Sequence, residues 1–421
     1  MGRRYFGTDG VRGIVGELLT PELVERLGRA SALWASARSV YVGCDTRASG
    51  PELADAFARG VISAGADCVL AGVLPTPAVA LLPGDLRVVV SASHNPPEYN
   101  GVKLFDAGGG KLSDRSEEQI EELLAAAPAP DQGSVRQAEG AAEDYLRYVL
   151  DHFGADLAGL RVVVDCANGA YSGLAARAFA ECGAAVHTIG DAPDGTNINT
   201  GCGATDTALL ERTVADGGYD LGIAFDGDGD RMLAVDERGR LVDGDQILAI
   251  LAPHLGVGLV AVTVMTNLGF HAAMAEHGIE VVTTDVGDRY VLEALRREGG
   301  VLGGEQSGHI IYLRDHVTGD GLVAGLLLCA AVRGRSLAGA ADAMPRFVQV
   351  KENVAVERRE LTPAVVAEVE RVNREWAGKG RILVRPSGTE PLIRVLAEAA
   401  GEQDAREACG SISKLVRREL G

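Results

Sequence analysis

The segment LGIAFDGDGDR, residues 221–231, shows the unit from which the chain is built: five uncharged residues lead into alternating aspartates and glycines. Short apolar runs that end in a small or acidic loop, followed by a helical pattern, recur along the chain. They are VYVGCDTR (40–47), RVVVSASHN (87–95), RVVVDCANG (161–169), LVAVTVMTN (259–267) and VLGGEQSGH (301–309). Strands that are apolar throughout and alternate with helices indicate α/β sheets covered on both faces.

The recurrence of this unit predicts the domain organisation. Three related α/β domains with mixed sheets are expected over residues 1–135, 136–243 and 244–347. The last segment, 348–421, has a different pattern: a strand, a turn, a second strand and a final amphipathic helix. It is expected to be a smaller α+β domain.

Composition excludes several classes of protein. With 47% hydrophobic and 24% charged residues, the 421-residue chain is an ordinary globular protein. The formal charge of −19 argues against nucleic-acid partners and anionic membranes. The longest apolar run, 321–332, is too short to cross a bilayer and predicts a buried helix. Seven scattered cysteines without a Cys-x-x-Cys pair favour reduced thiols, hence a cytoplasmic location.

The aspartates of the first segment predict a metal site. Glycines between Asp226, Asp228 and Asp230 let three carboxylates turn toward one centre, and such oxygen ligands suit Mg²⁺. An EF-hand is rejected, because Arg231 stands where that loop needs glycine and the flanks are strand-like. An acidic surface turn remains the alternative. Arg231 is expected to brace the carboxylates or contact a ligand phosphate.

RPSGTEPLIR, residues 385–394, predicts an anion site. Two hydroxyls and consecutive backbone N–H groups suit phosphate, and an arginine stands on each side. The residues are Arg385, Ser387, Gly388, Thr389 and Arg394. Pro-Ser-Gly-Thr is also an everyday turn, so this motif alone leaves both interpretations open.

GGEQSGH, residues 303–309, offers groups suited to sugar hydroxyls. Glu305, Ser307 and His309 supply acceptors and donors, and the glycines allow close approach. Read by itself, the motif favours a polar turn, and a single histidine is usually structural.

Ser93 follows the apolar run 88–90 directly. A nucleophilic serine needs a base within reach, and His94, its neighbour in the chain, is expected to point elsewhere. A serine near a Mg²⁺ site and a phosphate site suggests phosphoryl transfer, with Lys103 as a candidate proton carrier. A serine that caps the next turn is the alternative.

Together, the four loops resemble those of the α-D-phosphohexomutase superfamily, in the same order over essentially the whole chain. Further motifs carry the resemblance: RYFGTDGVRG (4–13), NINTGCGATD (197–206), TTDVGDRYVLEAL (283–295) and TGDGLVAG (318–325). The resemblance implies four domains around a central cleft.

The resemblance also implies roles for individual residues. Ser93 would carry the phosphoryl group, and this phosphate with Asp226, Asp228 and Asp230 would hold Mg²⁺. Lys103 and His309 would transfer protons, and Arg12 would lie near the phosphoserine. The sugar loop would be Glu305, Ser307 and His309, and the loop for the other phosphate would be Arg385, Ser387, Gly388, Thr389 and Arg394.

The implied reaction is the interconversion of glucosamine 6-phosphate and glucosamine 1-phosphate, with a sugar 1,6-bisphosphate as intermediate and activator. FGTDGVRG and GGEQSGH resemble the branch that acts on glucosamine phosphates, whereas NPPEYNG resembles the branch that acts on glucose and mannose phosphates. The second substrate class is therefore the alternative. A non-catalytic binding protein and a simple phosphatase are two further ones. A homodimer is expected from the family.

Overall fold

The computed structural model describes residues 4–7, 9–387 and 391–421. It contains four sheets of seven, five, four and three strands. The chain forms two compact units, one of residues 1–265 with 279–342 and one of residues 266–278 with 343–421. Among the described residues, no helix is long and apolar enough to cross a membrane.

The first sheet has the order β1-β2-β6-β5-β3-β4-β7 and is mixed, because β6 runs antiparallel to β5 while β3, β4, β5 and β7 are parallel. Its elements are β1 (Phe6–Gly7), β2 (Gly10–Ile14), α1 (Pro21–Trp34), β3 (Ser39–Cys44), α2 (Gly50–Ser63), β4 (Asp67–Val73), α3 (Thr76–Leu81), β5 (Leu86–Val90), β6 (Tyr99–Phe105), α4 (Asp114–Glu122) and β7 (Val135–Gln137). All five residues of β5 are buried, as expected of a strand covered on both faces. The predicted boundary after residue 135 falls within β7.

The second sheet has the order β12-β11-β10-β8-β9. Its elements are α5 (Ala141–Phe153), β8 (Arg161–Asp165), α6 (Ala175–Glu181), β9 (Ala185–Ile189), α7 (Ala208–Gly217), β10 (Leu221–Phe225), β11 (Met232–Asp236) and β12 (Leu241–Val242). β10 and β11 form an antiparallel hairpin, so residues 226–231 are its loop.

The third sheet has the order β14-β13-β15-β16. Its region contains α8 (Gly244–His254), β13 (Leu259–Thr263), α9 (Leu268–Glu276), β14 (Glu280–Thr284), α10 (Asp288–Glu298), β15 (Leu302–Gly304), β16 (Ile310–Tyr312), α11 (Gly321–Val332) and α12 (Leu337–Asp342). β15 and β16 are antiparallel and enclose residues 305–309. The predicted buried helix is α11, with the predicted limits.

The C-terminal sheet is antiparallel with the order β17-β19-β18. Its elements are β17 (Val348–Ala355), α13 (Pro363–Glu375), β18 (Gly380–Pro386), β19 (Leu392–Ala399) and α14 (Glu402–Leu420). One core joins the sheet and the amphipathic α14, with Ile393 and Val395 packed in the same cluster as Ile412 and Val416. The predicted smaller α+β domain is confirmed.

Candidate active site

The hairpin loop between β10 and β11 gathers the three predicted aspartates. Phe225 and Met232 are its last paired residues, and both strands are buried along their whole length. The tight loop turns Asp226, Asp228 and Asp230 together, so that one oxygen of each lies within 4.8 Å of the others. All three side chains are buried. They therefore form a single acidic centre inside the protein.

Ser93 lies directly beside this centre. It follows β5, is completely buried, and its hydroxyl donates a hydrogen bond to Asp226 Oδ2 at 2.5 Å. Its φ is 53°, a left-handed conformation that residues other than glycine seldom adopt. Such a conformation persists only where surrounding contacts enforce it.

Arg47 supplies most of those contacts. Its side chain is fully buried and pairs with Asp45 at 2.9 Å. The guanidinium donates at 2.5–3.0 Å to four backbone oxygens of the loop, those of Ser93, Asn95, Pro96 and Tyr99. The planar fork of an arginine can satisfy several acceptors at once, so one side chain holds the whole turn.

Two further residues complete the support of Ser93. Ser91 donates to Asp45 at 2.6 Å and accepts from the Ser93 N–H at 2.9 Å. From the second domain, Asn199 Nδ2 donates to the Ser93 carbonyl at 2.9 Å. Arg47 was not among the predicted site residues, although the sequence contains a signal for it. VYVGCDTR ends at Arg47 just after β3, which pairs in parallel with β5, and parallel strands end at one sheet edge.

His94 corrects one expectation. It was predicted to point away from Ser93, yet its Nδ1 lies 3.3 Å from Ser93 Oγ, so that prediction is wrong. The left-handed turn at Ser93 brings the neighbouring side chain back toward the hydroxyl. Burial, together with Arg231 and Arg12, lowers the pKa of His94 to about 4, so its ring is neutral at pH 7.

Lys103 reaches two of the aspartates from the neighbouring strand. It is opposite Val89 in the pairing of β5 with β6, and its Nζ lies 2.6 Å from Asp228 and 3.2 Å from Asp230. Burial alone would lower its pKa, but Asp228, Asp230 and Asp9 raise the pKa of Lys103 above its ordinary value. Lys103 is therefore an ammonium ion in this arrangement.

Lys103 is one of six ionisable side chains that form a closed ring, which shares Asp230 with the acidic centre. The order is Asp230, Lys103, Asp9, Lys111, Asp288 and His309. Asp9 lies 3.3 Å from Lys103 and 2.6 Å from Lys111, which lies 2.6 Å from Asp288. His309 closes the ring, 3.2 Å from Asp288 and 3.7 Å from Asp230. Asp9, Lys111 and Asp288 were not predicted as site residues, although Asp9 lies in RYFGTDGVRG and Asp288 in TTDVGDRYVLEAL.

The ring changes the acidity of its members. Burial lowers the pKa of His309, but Asp288 and Asp230 together raise it above its ordinary value. Burial would raise the pKa of Asp230, yet Lys103 and His309 hold it well below the usual range. For Asp226, burial and then Asp230 and Asp228 raise the pKa to about 8. Two carboxylates of the centre thus differ in protonation because their neighbours differ.

The acidic centre fits a divalent cation. Asp228 Oδ1 and Asp230 Oδ1 are buried and accept no hydrogen bond from the residues that the structure describes. A buried carboxylate oxygen without a partner is costly, and a hard cation is the partner that several such oxygens prefer. The three aspartates could therefore hold a metal ion.

Two arginines lie in the same region. The Arg231 backbone N–H donates to Asp226 at 3.1 Å, and its Nε lies 3.8 Å from Asp230. Arg12 forms an ion pair with Asp9. The Nε of both arginines is buried and donates to no acceptor within the described ranges. Unused buried donors of this kind suit an anionic ligand.

The predicted sugar loop is the turn between β15 and β16. His309 is buried and belongs to the ring of charges. Glu305 accepts from the Gly287 N–H at 3.1 Å, and burial raises the pKa of Glu305. Ser307 is exposed, and Gln306 donates to the buried Asp245 at 3.2 Å. Of the three predicted sugar ligands, the structure brings His309 to the acidic centre and leaves Ser307 at the surface.

The predicted phosphate loop lies in the C-terminal unit. Arg385 and Arg394 are directly opposite each other in the register of β18 and β19. Side chains in that position lie close together on one face of the sheet, where both can reach a single anion. Ser387 is buried beside them, whereas Gly388 and Thr389 lie outside the described residues.

Comparison with known proteins covers nearly the whole chain. Domains I, II, III and IV of the phosphoglucomutase/phosphomannomutase family match residues 3–130, 143–239, 243–347 and 349–414. The chain belongs to this phosphohexomutase family. The family and the fold class predicted from the sequence, three α/β domains and a smaller C-terminal one, are confirmed.

Individual phosphohexomutases resemble the chain over its full length. Phosphoglucosamine mutase of Desulforudis audaxviator is 49% identical over 446 residues, which cover 99% of each chain. That of Pelotomaculum thermopropionicum is 47% identical over 438 residues, 98% of each. A crystal structure of a phosphoglucomutase/phosphomannomutase family protein from Burkholderia thailandensis superposes with a TM-score of 0.83 at 25% identity, over 97% of each chain. The enzyme class expected from the sequence is confirmed.

Proposed function

We propose that this phosphohexomutase interconverts glucosamine 6-phosphate and glucosamine 1-phosphate through a phosphorylated Ser93. The observation that carries the proposal is the buried Ser93 hydroxyl, 2.5 Å from Asp226 at the edge of an acidic centre. The choice of sugar is supported by full-length relatives that are named phosphoglucosamine mutases.

The chemistry needs two phosphoryl transfers. In the first, the C1 hydroxyl oxygen of glucosamine 6-phosphate forms a bond to the phosphorus on Ser93, and the bond from that phosphorus to Ser93 Oγ breaks. The sugar hydroxyl gives up its proton, and Ser93 Oγ gains one. In the structure, the Ser93 hydroxyl donates a hydrogen bond to Asp226. The resulting glucosamine 1,6-bisphosphate then reverses its orientation in the site. Ser93 Oγ loses its proton and forms a bond to the phosphorus on O6, the bond from that phosphorus to O6 breaks, O6 gains a proton, and glucosamine 1-phosphate is released.

The chain's own residues would supply positioning, charge and protons. Arg47 holds the Ser93 turn for in-line attack. Lys103 and His309 would exchange protons with the sugar oxygens, while Arg12 and Arg231 would offset the charge of the moving phosphoryl group. The unused Nε donors of both arginines support that role.

Asp226, Asp228 and Asp230, together with the phosphate on Ser93, are proposed to hold one Mg²⁺ ion. One oxygen of Asp228 and one of Asp230 accept no hydrogen bond from the described residues, which supports this assignment. When bound, the ion would neutralise negative charge on the transferring phosphoryl group.

The remaining assignments extend the proposal to the rest of the substrate. Glu305, Ser307 and His309 would bind the sugar hydroxyls. The phosphate that is not transferred would be held by Arg385, Ser387, Gly388, Thr389 and Arg394. The cross-strand register of the two arginines supports the phosphate assignment.

The proposal also covers the domain boundaries, an activator, the location in the cell and the oligomeric state. We propose domain boundaries after residues 135, 243 and 347, which the family matches over residues 3–130, 143–239, 243–347 and 349–414 support. A sugar 1,6-bisphosphate is proposed as activator, since it would phosphorylate an unmodified Ser93. A cytoplasmic location is proposed from the scattered cysteines, and a homodimer is proposed from the family resemblance. Sedimentation of the purified protein would test the dimer.

Phosphorus NMR of the purified protein tests the reaction. With Mg²⁺ and a trace of sugar bisphosphate, glucosamine 6-phosphate, glucose 6-phosphate and mannose 6-phosphate are compared at equal concentration. We expect glucosamine 1-phosphate to appear fastest. If a glucose or mannose phosphate isomerises faster, the alternative suggested by NPPEYNG is correct. Release of inorganic phosphate without an isomer would indicate a phosphatase.

The serine itself has a matched control. Ser93→Ala should abolish isomerisation, because no other residue of the proposal carries the phosphoryl group. Ser134→Ala changes an exposed serine of the same domain and should leave the rate unaltered. Full activity of the Ser93 variant would refute the phosphoserine mechanism.

A further inference from the structure

A buried polar cluster lies apart from Ser93, and none of the proposed chemical steps uses it. It consists of Tyr145, Tyr171, His316 and Asp320, all buried. Both tyrosine hydroxyls donate to Asp320, Tyr171 to Oδ1 at 2.8 Å and Tyr145 to Oδ2 at 2.7 Å. His316 Nε2 lies 3.0 Å from Asp320 Oδ2. Four polar side chains are rarely buried together unless they fix a geometry.

The cluster contacts the aspartate loop at Gly229, the residue between Asp228 and Asp230. The ring of Tyr171 packs so closely under Gly229 that a Cβ there would lie 2.3 Å from Tyr171 Cε2. Gly229 also has φ 76°, which favours glycine. One face of the loop therefore rests on the tyrosine ring.

A second contact that holds Gly229, a backbone hydrogen bond, also depends on Asp320. The Gly321 N–H donates to the Gly229 carbonyl at 3.0 Å. Asp320, one residue earlier, fixes this backbone because its Oδ1 accepts from the N–H groups of Leu322 and Val323 at the start of α11. Asp320 thus fixes the position of both the Tyr171 ring and the Gly321 N–H group.

From these contacts we infer that Tyr171 and Asp320 are positioning residues that orient Asp228 and Asp230 for binding a divalent cation. The inference rests on the metal site of the proposed function. The glycines of the loop have no side chains that could hold it, so contacts from outside add to the loop's own backbone hydrogen bonds. Residues behind metal ligands often control metal affinity in this way.

Tyr145 provides the matched control. It has the same side chain, is equally buried and donates to the same carboxylate as Tyr171. Its ring is not among the groups nearest to Gly229, which are all atoms of Tyr171. The two hydroxyls also lie 2.8 Å apart and bond to each other, so either substitution removes that bond. Tyr145→Phe leaves the bond from Tyr171 to Asp320 in place, whereas Tyr171→Phe removes the bond that holds the ring beneath Gly229.

The test is binding of Mn²⁺ to the full-length protein without substrate, measured by electron paramagnetic resonance and paired with thermal unfolding. Tyr171→Phe should weaken Mn²⁺ binding about tenfold, while Tyr145→Phe binds Mn²⁺ as the wild type does. Both variants should lose similar thermal stability. Asp320→Asn, which keeps the shape of the side chain, should also weaken Mn²⁺ binding. This variant replaces Tyr171→Phe in the test if Tyr171→Phe does not fold.

The outcomes separate this inference from the proposed function. If the wild type binds Mn²⁺ and Tyr171→Phe or Asp320→Asn binds it equally well, the positioning role is wrong. Equal weakening by the two tyrosine variants would assign the effect to general stability and also overturn it. If the wild type itself binds no Mn²⁺, the proposed metal site fails and the inference fails with it.

Discussion

Replacing Arg47 by lysine removes the fork of donors that holds the Ser93 turn but keeps a positive charge beside Asp45. A lysine cannot serve four backbone oxygens, so buried carbonyls lose their partners. We expect a loss of roughly 3 kcal/mol in the free energy of unfolding. Turnover should fall about a hundredfold, since Ser93 would no longer be aligned. Urea unfolding and phosphorus NMR measure the two effects.

A surface arginine provides the control for this change. The Arg38 side chain is 92% exposed and lies 3.8 Å from Asp85. Arg38→Lys should change stability by less than about 0.5 kcal/mol and leave turnover unaltered. Equal effects of the two substitutions would show that Arg47 has no special role.

Asp165 makes stability depend on pH. Burial is the main reason that the pKa of this carboxyl rises from 3.8 to about 6, against hydrogen bonds from the Gly203 and Ala167 N–H groups. Because the folded pKa exceeds the unfolded one, the protonated group favours folding. This contribution is complete below pH 4 and is lost as the pH rises through 6, by about 3 kcal/mol.

The measurement compares urea unfolding of the wild type and Asp165→Asn between pH 4 and pH 7. An asparagine does not titrate, so the stability of the wild type relative to the variant should decline with rising pH across this range. A constant difference between the two proteins would contradict the assignment.

At the level of elements, α1 and α2 touch through glycines. A Cβ on Gly60 of α2 would lie 2.0 Å from the Glu25 carbonyl oxygen of α1, and backbone cannot yield as a side chain can. Gly60→Ala should therefore destabilise the protein by about 3 kcal/mol. Gly410 lies within α14 with open space around it, so Gly410→Ala should stabilise by about 1 kcal/mol.

Thermal and urea unfolding of the two glycine variants measure these opposite effects. The same substitution in two helix interiors differs only in what surrounds the new methyl group. Stabilisation by both substitutions would mean that α1 and α2 do not pack as closely as the structure indicates.

At the scale of the whole molecule, α9 belongs to the C-terminal unit although residues 244–347 were predicted to form one domain. The contacts within that unit are specific. Glu398 accepts from the Leu268 N–H at 2.6 Å and pairs with Arg381 at 2.7 Å, and Arg381 donates to the Thr266 carbonyl at 2.6 Å. Glu398 is completely buried.

Removing the Glu398 carboxylate should therefore loosen α9 together with the C-terminal strands. Glu398→Ala leaves Arg381 without its buried partner, at a cost of about 3 kcal/mol. Hydrogen exchange should accelerate in residues 266–278 and 343–421 and stay unchanged in residues 221–236. Equal acceleration in all three segments would mean that the chain does not unfold in two units.

The amino-acid sequence alone was enough to predict the α/β domains, the aspartate loop and the place of Ser93 directly after a buried strand. These features are local: apolar runs mark the strands, and the aspartates share one six-residue turn whose glycines bring them together. Lys103 was a candidate proton carrier and His309 a candidate sugar ligand, but their place in one ring of charges was not predicted.

Contacts between distant segments could not be predicted in the same way. Arg47 serves oxygens 46 to 52 residues away, and Asp9, Lys111, Asp288 and His309 come together from separate sheets. Which charge meets which depends on strand order and on the edge where each strand ends. The direction of His94 and the membership of α9 depend on backbone conformation and packing. A charged residue in the sequence shows its chemistry, but its partner is chosen only when the sheets assemble and burial makes an unpaired charge costly.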